Sequence, residues 1–309
     1  MKVRVVSVCA VICCLICAAL LNSCGTGQQT KAPADTKNNG RINVSADESF
    51  KPIIDAQVQV YQSNHPGTII NVIYKAEAEC LKDFLVDSIR MVIATRRYSE
   101  QERMFMIDSL SVSPDWRIVA RDAIAVIVNP LATDSLFTMK DLRDVLKGKF
   151  RKKLIPVFDG LQATSTVRFI VDSVLHGDSL GPDTRAAKTS EEVIDFVANN
   201  VDAIGLIGVS WIGNRDDPDQ LSFLKKVKIA QLESNEHPGM FIFPVQANIY
   251  PSRYPMVRDL VYTLKENYKG LGHGFADFLS GEIGQLIFRR AYLMPAQRDF
   301  RIRSVILRQ

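Results

Sequence analysis

Two cations, Lys2 and Arg4, precede an unbroken run of apolar and small residues over 5–21. A membrane-spanning helix needs about 20 predominantly apolar residues. This run is shorter and passes through Asn22-Ser23-Cys24 into the polar stretch Gly25-Thr26-Gly27-Gln28-Gln29. The pattern is that of a cleaved secretory signal over residues 1–23. From Cys24 to residue 40 almost nothing is apolar, so no burial offsets the entropy of ordering, and 24–40 reads as a flexible tether. Sixteen residues at about 3.3 Å each reach roughly 50 Å.

Beyond Arg41 the hydrophobic pattern alternates between short β-type runs and helical spacing. Residues 42–45 and 69–74 read as strands. Between them Ser49-Phe50-Lys51-Pro52 opens a helix with apolar positions Ile53, Ile54, Ala56, Val58 and Tyr61, and Pro52 suits its first turn. A helix over about 80–87 and a strand over 91–94 follow, and Ser99-Glu100-Gln101-Glu102 has the capping-box pattern of a further helix. Strand-like passages at 116–120 and 123–130 precede helices at 139–146 and 190–201 and strands at 203–208 and 241–245. The tail over 254–292 reads as mostly helical. This alternation predicts an α/β fold with mainly parallel sheet, and no internal repeat competes with it.

Composition narrows the setting. The chain has a formal charge of +4, and removing Lys2 and Arg4 with the signal leaves +2. That balance excludes the strong basic surplus of a nucleic-acid binder, so the cluster 147–153 reads as a solvated loop. Four of the six cysteines, Cys9, Cys13, Cys14 and Cys17, fall within the signal. With Cys24 next to the cleavage point, only Cys80 is left in the body, so a disulfide framework is excluded and Cys80 reads as a small buried apolar residue.

Three places place hydroxyl groups where a helix starts: Asp47-Glu48-Ser49-Phe50, Ala94-Thr95-Arg96-Arg97 and Ala163-Thr164-Ser165-Thr166-Val167-Arg168. Free N–H groups and the helix dipole make such positions receptive to oxyanions, although Ser and Thr also cap helices with no ligand present. Two lie early in the chain and one in its middle, an arrangement that could grip a solute from two lobes. Enzymatic signatures are missing. Gly208-Val209-Ser210-Trp211-Ile212 lacks the second glycine of a nucleophile elbow, and His65, His176, His237 and His273 are too scattered for a zinc set. Gly270-Leu271-Gly272-His273-Gly274 has no strand before it and reads as a helix-opening turn rather than a dinucleotide loop. The residues therefore predict a non-enzyme with neither metal nor cofactor.

Leu21-Asn22-Ser23-Cys24 resembles a bacterial lipobox, which implies a lipid at Cys24 and attachment to a membrane of the cell envelope, facing the periplasm or outside. The stretch 43–52 resembles the opening motif of phosphate ABC-transporter substrate-binding proteins. Residues 159–166 fall where that family has its second-lobe arginine and Ser-Gly-Thr loop. Residues 203–208, 253–258 and 281–285 with Pro295 resemble its Ile-Gly strand, its Tyr-Pro segment and the end of its C-terminal helix. The resemblance implies a two-lobed type 2 periplasmic-binding architecture with a central ligand cleft and two β crossovers, near Ala120 and Phe243. It divides the chain into a first lobe of 41–120 plus 245–309 and a second lobe of 121–244. It further implies capture of phosphate or a similar oxyanion by Ser49, Phe50 (through its amide), Thr95, Arg96, Thr164, Ser165, Thr166 and Arg168, for delivery to a transporter permease.

The departures from the family bear on specificity. Thr95-Arg96 stands where the family has Ser-Asp, so the carboxylate that accepts a hydrogen bond from protonated phosphate is absent there, and a guanidinium only donates. Arg96 either faces the cleft or turns to solvent or toward Glu77 or Glu79. Glu77 and Glu79 replace a small Ser-Gly segment, and Asp159 precedes the loop while Arg168 follows it. Two readings remain: retained oxyanion capture, or a sensing or interaction module on the same fold with its anion site altered or lost.

Overall fold

The computed structural model describes residues 35–160, 164–214 and 216–296. The expected signal over 1–23, the lipid site Cys24 and most of the tether lie outside the described residues. Ile170–Val174 is a π-helical turn, and Glu48–Phe50 and Val209–Trp211 are 3-10 turns. In chain order the other elements are β1 (Gly40–Asp47), α1 (Lys51–Asn64), β2 (Thr68–Lys75), α2 (Glu77–Asp83), β3 (Ile89–Ala94) and α3 (Glu100–Leu110). Next come β4 (Asp115–Val128), β5 (Leu136–Phe137), α4 (Met139–Leu146), β6 (Ile155–Phe158), α5 (Ser165–Phe169), β7 (Arg185–Ala186), α6 (Ser190–Asn199) and β8 (Ala203–Gly208). The remainder comprises α7 (Pro218–Lys226), β9 (Lys228–Ile229), β10 (Gln231–Glu233), β11 (Phe241–Ile242), α8 (Gln246–Ile249), β12 (Val257–Leu264), α9 (Leu271–Ser280), α10 (Glu282–Arg290) and β13 (Met294–Pro295).

One sheet runs through the molecule in the order β2-β1-β3-β12-β4-β8-β6-β7. Both ends are parallel βα units: β1 pairs with β2 and β3, and β6 with β7 and β8, while the central partners β12 and β4 are antiparallel to their neighbours. The 14-residue β4 joins the halves. Its first part lies against β12, and from Ile124 onward it lies against β8. The two strand-like passages around Ala120 are thus one strand, the crossover expected there. Around Phe243 only Phe241–Ile242 is a strand, in a separate sheet of order β11-β10-β5, and Gln246–Ile249 is helical.

Local sequence accounts for the remaining elements. Ser99 and Glu102 exchange both capping-box bonds at the start of α3, and Thr138 and Asp141 do the same for α4. β8 is buried along its whole length and reads accordingly as an apolar run without alternation. The 254–292 tail is the main correction. Val257–Leu264 is not helical but a strand in the middle of the sheet, inserted between β3 and β4. Its composition, with two valines, a tyrosine and a threonine in eight residues, favours a strand. Helices begin only at Leu271, with Gly270 as the turn before them.

The tether expected through residue 40 also ends earlier. Asp35 is buried and accepts from Arg90 Nη2 at 2.6 Å and Tyr268 Oη at 2.9 Å, Lys37 pairs with Asp277, and Gly40 already belongs to β1. Burying a carboxylate with two donors fixes the chain where composition alone predicted freedom. The apolar clusters lie within residues 42–293, so a chain starting at Gly25 keeps every packed layer and the Asp35 anchor. No helix among the described residues is long and apolar enough to cross a membrane.

Candidate binding site

Three segments meet at the sheet centre: the end of β1 with the 3-10 turn Glu48–Phe50, the start of α5, and the facing positions Asp122 of β4 and Arg258 of β12. Arg258 and Asp122 stand opposite each other in the β4/β12 register, both almost fully buried. Arg258 donates from Nε to Asp122 Oδ2 at 2.9 Å, and its Nη2 lies 2.8 Å from the same oxygen. Its Nη1 donates to Ser165 Oγ at 2.9 Å and Thr166 Oγ1 at 3.3 Å, and the guanidinium sits 4.9 Å over the Phe50 ring. Ser49 Oγ donates to Asp159 Oδ2 at 3.2 Å and is 3.4 Å from Ser165 Oγ. Ser190 Oγ, from α6, reaches both Glu48 and Asp159.

Close approach here needs a glycine. A Cβ on Gly208, at the end of β8, would lie 3.1 Å from Arg258 Nη2, 3.3 Å from Asp122 Oδ2 and 3.3 Å from the Ser49 carbonyl oxygen. Just beyond it, Ser210 Oγ and Trp211 Nε1 both donate to that carbonyl, at 3.1 and 3.0 Å. The turn before α1 is therefore held by residues following β8, 161 and 162 positions away in the chain.

The electrostatics are unusual for an oxyanion site. Three carboxylates, Asp47, Asp122 and Asp159, lie within reach of one guanidinium, and Glu48 adjoins Asp159 and Asp47. Asp47 Oδ1 accepts from the Ser49 amide at 3.1 Å, while Asp47 Oδ2, Asp122 Oδ1 and Asp159 Oδ1 are buried without a partner. Burial and the nearby Glu77 push Asp47 up to about 7. Burial and Asp159 push Glu48 up to about 8. Burial likewise raises Asp122 and Asp159 against the pull of Arg258. The buried atoms of the cluster without a hydrogen bond are thus three carboxylate oxygens and one donor, Arg258 Nη2, which lies beside Asp122 Oδ2 as an ion pair only.

A second cluster adjoins the first. Arg168 Nε donates to Glu77 Oε2 at 2.5 Å, and its Nη2 donates to Thr95 Oγ1 at 2.7 Å; Thr95 in turn donates to Glu77 Oε1 from both its amide and its hydroxyl. Burial alone would raise Glu77, but the bond and charge of Arg168, with the Thr95 bonds, hold it below the usual carboxylate range.

Of the expected contact residues, Ser49, Phe50, Ser165 and Thr166 thus gather around Arg258. Thr95 and Arg168 form the adjoining cluster instead. The Thr164 hydroxyl is used as the cap of α5, accepting from the Val167 amide. Arg96 is not brought to either cluster. It donates from both terminal nitrogens to Glu102 at 2.9 Å, and that bond holds Glu102 down at about 2. The capping box pre-positions Glu102, so Arg96 finds a fixed carboxylate six residues on, rather than Glu77 or Glu79. Among the described residues no group of His, Cys, Asp and Glu could hold a metal, and Cys80 is buried.

Asp122 and Arg258 were not among the expected site residues. One signal for Asp122 is present in the sequence, a lone carboxylate inside the apolar passage 118–128, which demands a buried partner. Arg258 has no such signal while its segment is read as a helix.

A family model described as a PBP superfamily domain matches residues 30–282. No sequence among the curated proteins matches. Among solved structures, the chain is similar to a Clostridium perfringens protein described as a "putative phosphate ABC transporter substrate-binding protein with bound phosphate". The TM-score is 0.69 at 18% identity, covering 84% of this chain and 100% of that one. An ABC-type phosphate transport receptor from Vibrio cholerae matches with TM-score 0.60 and 17% identity over 82% of this chain and 99% of its own. The substrate-binding domain of a molybdenum ABC transporter from Clostridium difficile matches at 0.50 and 16%, over 83% and 99%. At such identities the likeness establishes the fold.

Two outcomes follow from the buried charges. Arg258→Met leaves the buried Asp122 carboxyl without its partner, so urea denaturation should register a loss of about 3–5 kcal/mol, and adding Asp122→Asn should recover a large part of it. Additive losses in the double variant would show that the two side chains do not act as a pair. Separately, the folded chain holds protons on Asp47 and Glu48 that the unfolded chain has released, from pH 3.8 to about 7 and from 4.5 to about 8. Stability should therefore fall as pH rises from about 5 to 8, and Asp47→Asn should flatten that slope by up to about 1.4 kcal/mol per pH unit. An unchanged slope in the variant would mean that Asp47 ionises normally.

Proposed function

Because the chain belongs to the PBP superfamily, with the two-lobed type 2 architecture, we propose that it is an extracytoplasmic solute-binding lipoprotein that closes on phosphate or a similar oxyanion for an ABC transporter. The observation supporting this most directly is the meeting of Ser49, from the start of the chain's fold, with Ser165, from its middle, which together with Thr166 accepts from the Arg258 guanidinium. Hydroxyl donors from both proposed lobes, 41–120 plus 245–309 and 121–244, meet where closing lobes would enclose a solute. In an opened cleft, Ser165 and Thr166 withdraw and leave Arg258 Nη1 for a solute oxygen. Carboxyls that stay protonated near neutral pH add donors and remove repelling charge. The lipid at Cys24 would keep the protein at the membrane beside its permease, and a Cys24→Ala chain should then lose incorporation of labelled palmitate; retained label would place the acyl group elsewhere.

A second reading has its own support. Arg258 and Arg168 each already face a carboxylate, and three buried carboxylate oxygens of the inner cluster have no hydrogen-bond donor. An anion site in that state suits a sensing or interaction module on the same fold.

Calorimetric titration of the chain from Gly25 with phosphate and sulfate separates the two. Solute capture predicts phosphate binding at micromolar strength, tighter at pH 6 than at pH 8, and weakened roughly tenfold or more by Ser165→Ala. A folded protein that binds neither anion would leave the module reading.

A further inference from the structure

A cavity of about 750 Å³ opens beside the Glu77–Arg168 pair, outside the cluster around Arg258. One wall comes from α2 and the residues after it, including Leu81, Lys82 and Leu85. The opposite wall comes from α3, with Gln101, Phe105 and Met106, and Val167 and Arg168 of α5 close the base. Its size is that of a site for a small organic molecule. Its lining is mainly apolar, and two large side chains stand open to water at its rim, Leu85 at 47% and Phe105 at 56% exposure.

Charge selects among such molecules. The lining contains three cations, Lys82, Arg96 and Arg168, and two acids, Glu77 and Glu102. Each acid is consumed by one arginine, Glu77 by Arg168 at 2.5 Å and Glu102 by Arg96 at 2.9 Å. Lys82 is exposed and makes no side-chain hydrogen bond or ion pair with the described residues, and the same holds for the Gln101 side-chain amide. The uncommitted polar groups of this cavity are thus a cation and an amide above apolar walls, opposite in character to the orphaned carboxylate oxygens of the inner cluster.

We propose that this cavity is a ligand site for a small amphipathic organic anion, with its acidic head at Lys82 and Gln101 and its apolar body against Leu81, Leu85, Phe105 and Met106. The site stands on this cavity alone and does not require the inner cluster to take an oxyanion. The probe is decanoate, titrated calorimetrically into the chain from Gly25, with phenyl phosphate as an alternative head group and decyltrimethylammonium as the cationic counterpart. Decanoate should bind one to one. Lys82→Glu and Phe105→Asp, both at exposed positions where the fold is not at stake, should each weaken it at least tenfold, with thermal melting unchanged. Tighter binding of phenyl phosphate than of decanoate would identify a phosphate head, and the reverse a carboxylate, both within the proposed class. Absence of binding, equal binding of the ammonium amphiphile, or indifference to both substitutions would overturn the proposal. A chain that binds decanoate but not phosphate keeps this site and loses the oxyanion reading.

Discussion

The pairing of Arg258 with Asp122 fixes the geometry on which the rest of the centre depends. Two charges removed from water at the middle of a sheet are costly unless each finds partners, and here the pairing is cross-strand, between β12 and β4, where register puts the side chains side by side. The guanidinium then has donors left over, and they extend to Ser165 and Thr166 at the start of α5. Its flat face rests on Phe50, at the turn that leads into α1. One buried cation thereby connects the sheet to helices on either side of the cleft. A Cβ at Gly208 would press on the same pair, at 3.1 Å from Arg258 Nη2 and 3.3 Å from Asp122 Oδ2.

That solution has an electrostatic consequence. Each carboxylate added around a single guanidinium is harder to ionise than the last, because the first pair already uses most of the available positive charge. Asp122 has Arg258, whereas Asp47 and Glu48 retain protons near neutral pH, and three buried oxygens remain without donors. The centre is therefore near balance only when some of its acids are neutral. Its charge state follows pH across the neutral range.

The sequence pattern was most informative where local physics decides the outcome. The capping box at Ser99, Pro52 in a first turn and the uniformly apolar β8 all act over a few residues, and those elements fell where the pattern put them. The motif at Ser49 and the one at Ser165 were legible as separate helix starts, and the structure sets them 3.4 Å apart. What could not be read was set by long-range pairing. Val257–Leu264 is a strand because β3 and β4 leave a gap for it, and only that insertion puts Arg258 opposite Asp122. Arg96 and Arg168 looked equally placed to face the cleft, but a pre-positioned Glu102 took the first, and the chain's return at α5 delivered the second to Glu77. Asp35 looked like tether until Arg90 and Tyr268, remote in sequence, supplied its donors.

Glu77 stands at the boundary between two regions of opposite demand. On one side its charge raises Asp47, and on the other it neutralises Arg168 at the base of the apolar cavity. Were Glu77 neutral, Asp47 would ionise more readily and Arg168 would be released as a donor at the boundary. The two changes oppose each other for an anion, one adding negative charge inside and the other freeing positive charge at the edge. The Thr95 hydroxyl and amide, both given to Glu77, weight the balance toward the ionised carboxylate. The inner centre is thereby kept acid-rich and partly protonated while the outer cavity retains Lys82 as its uncommitted cation.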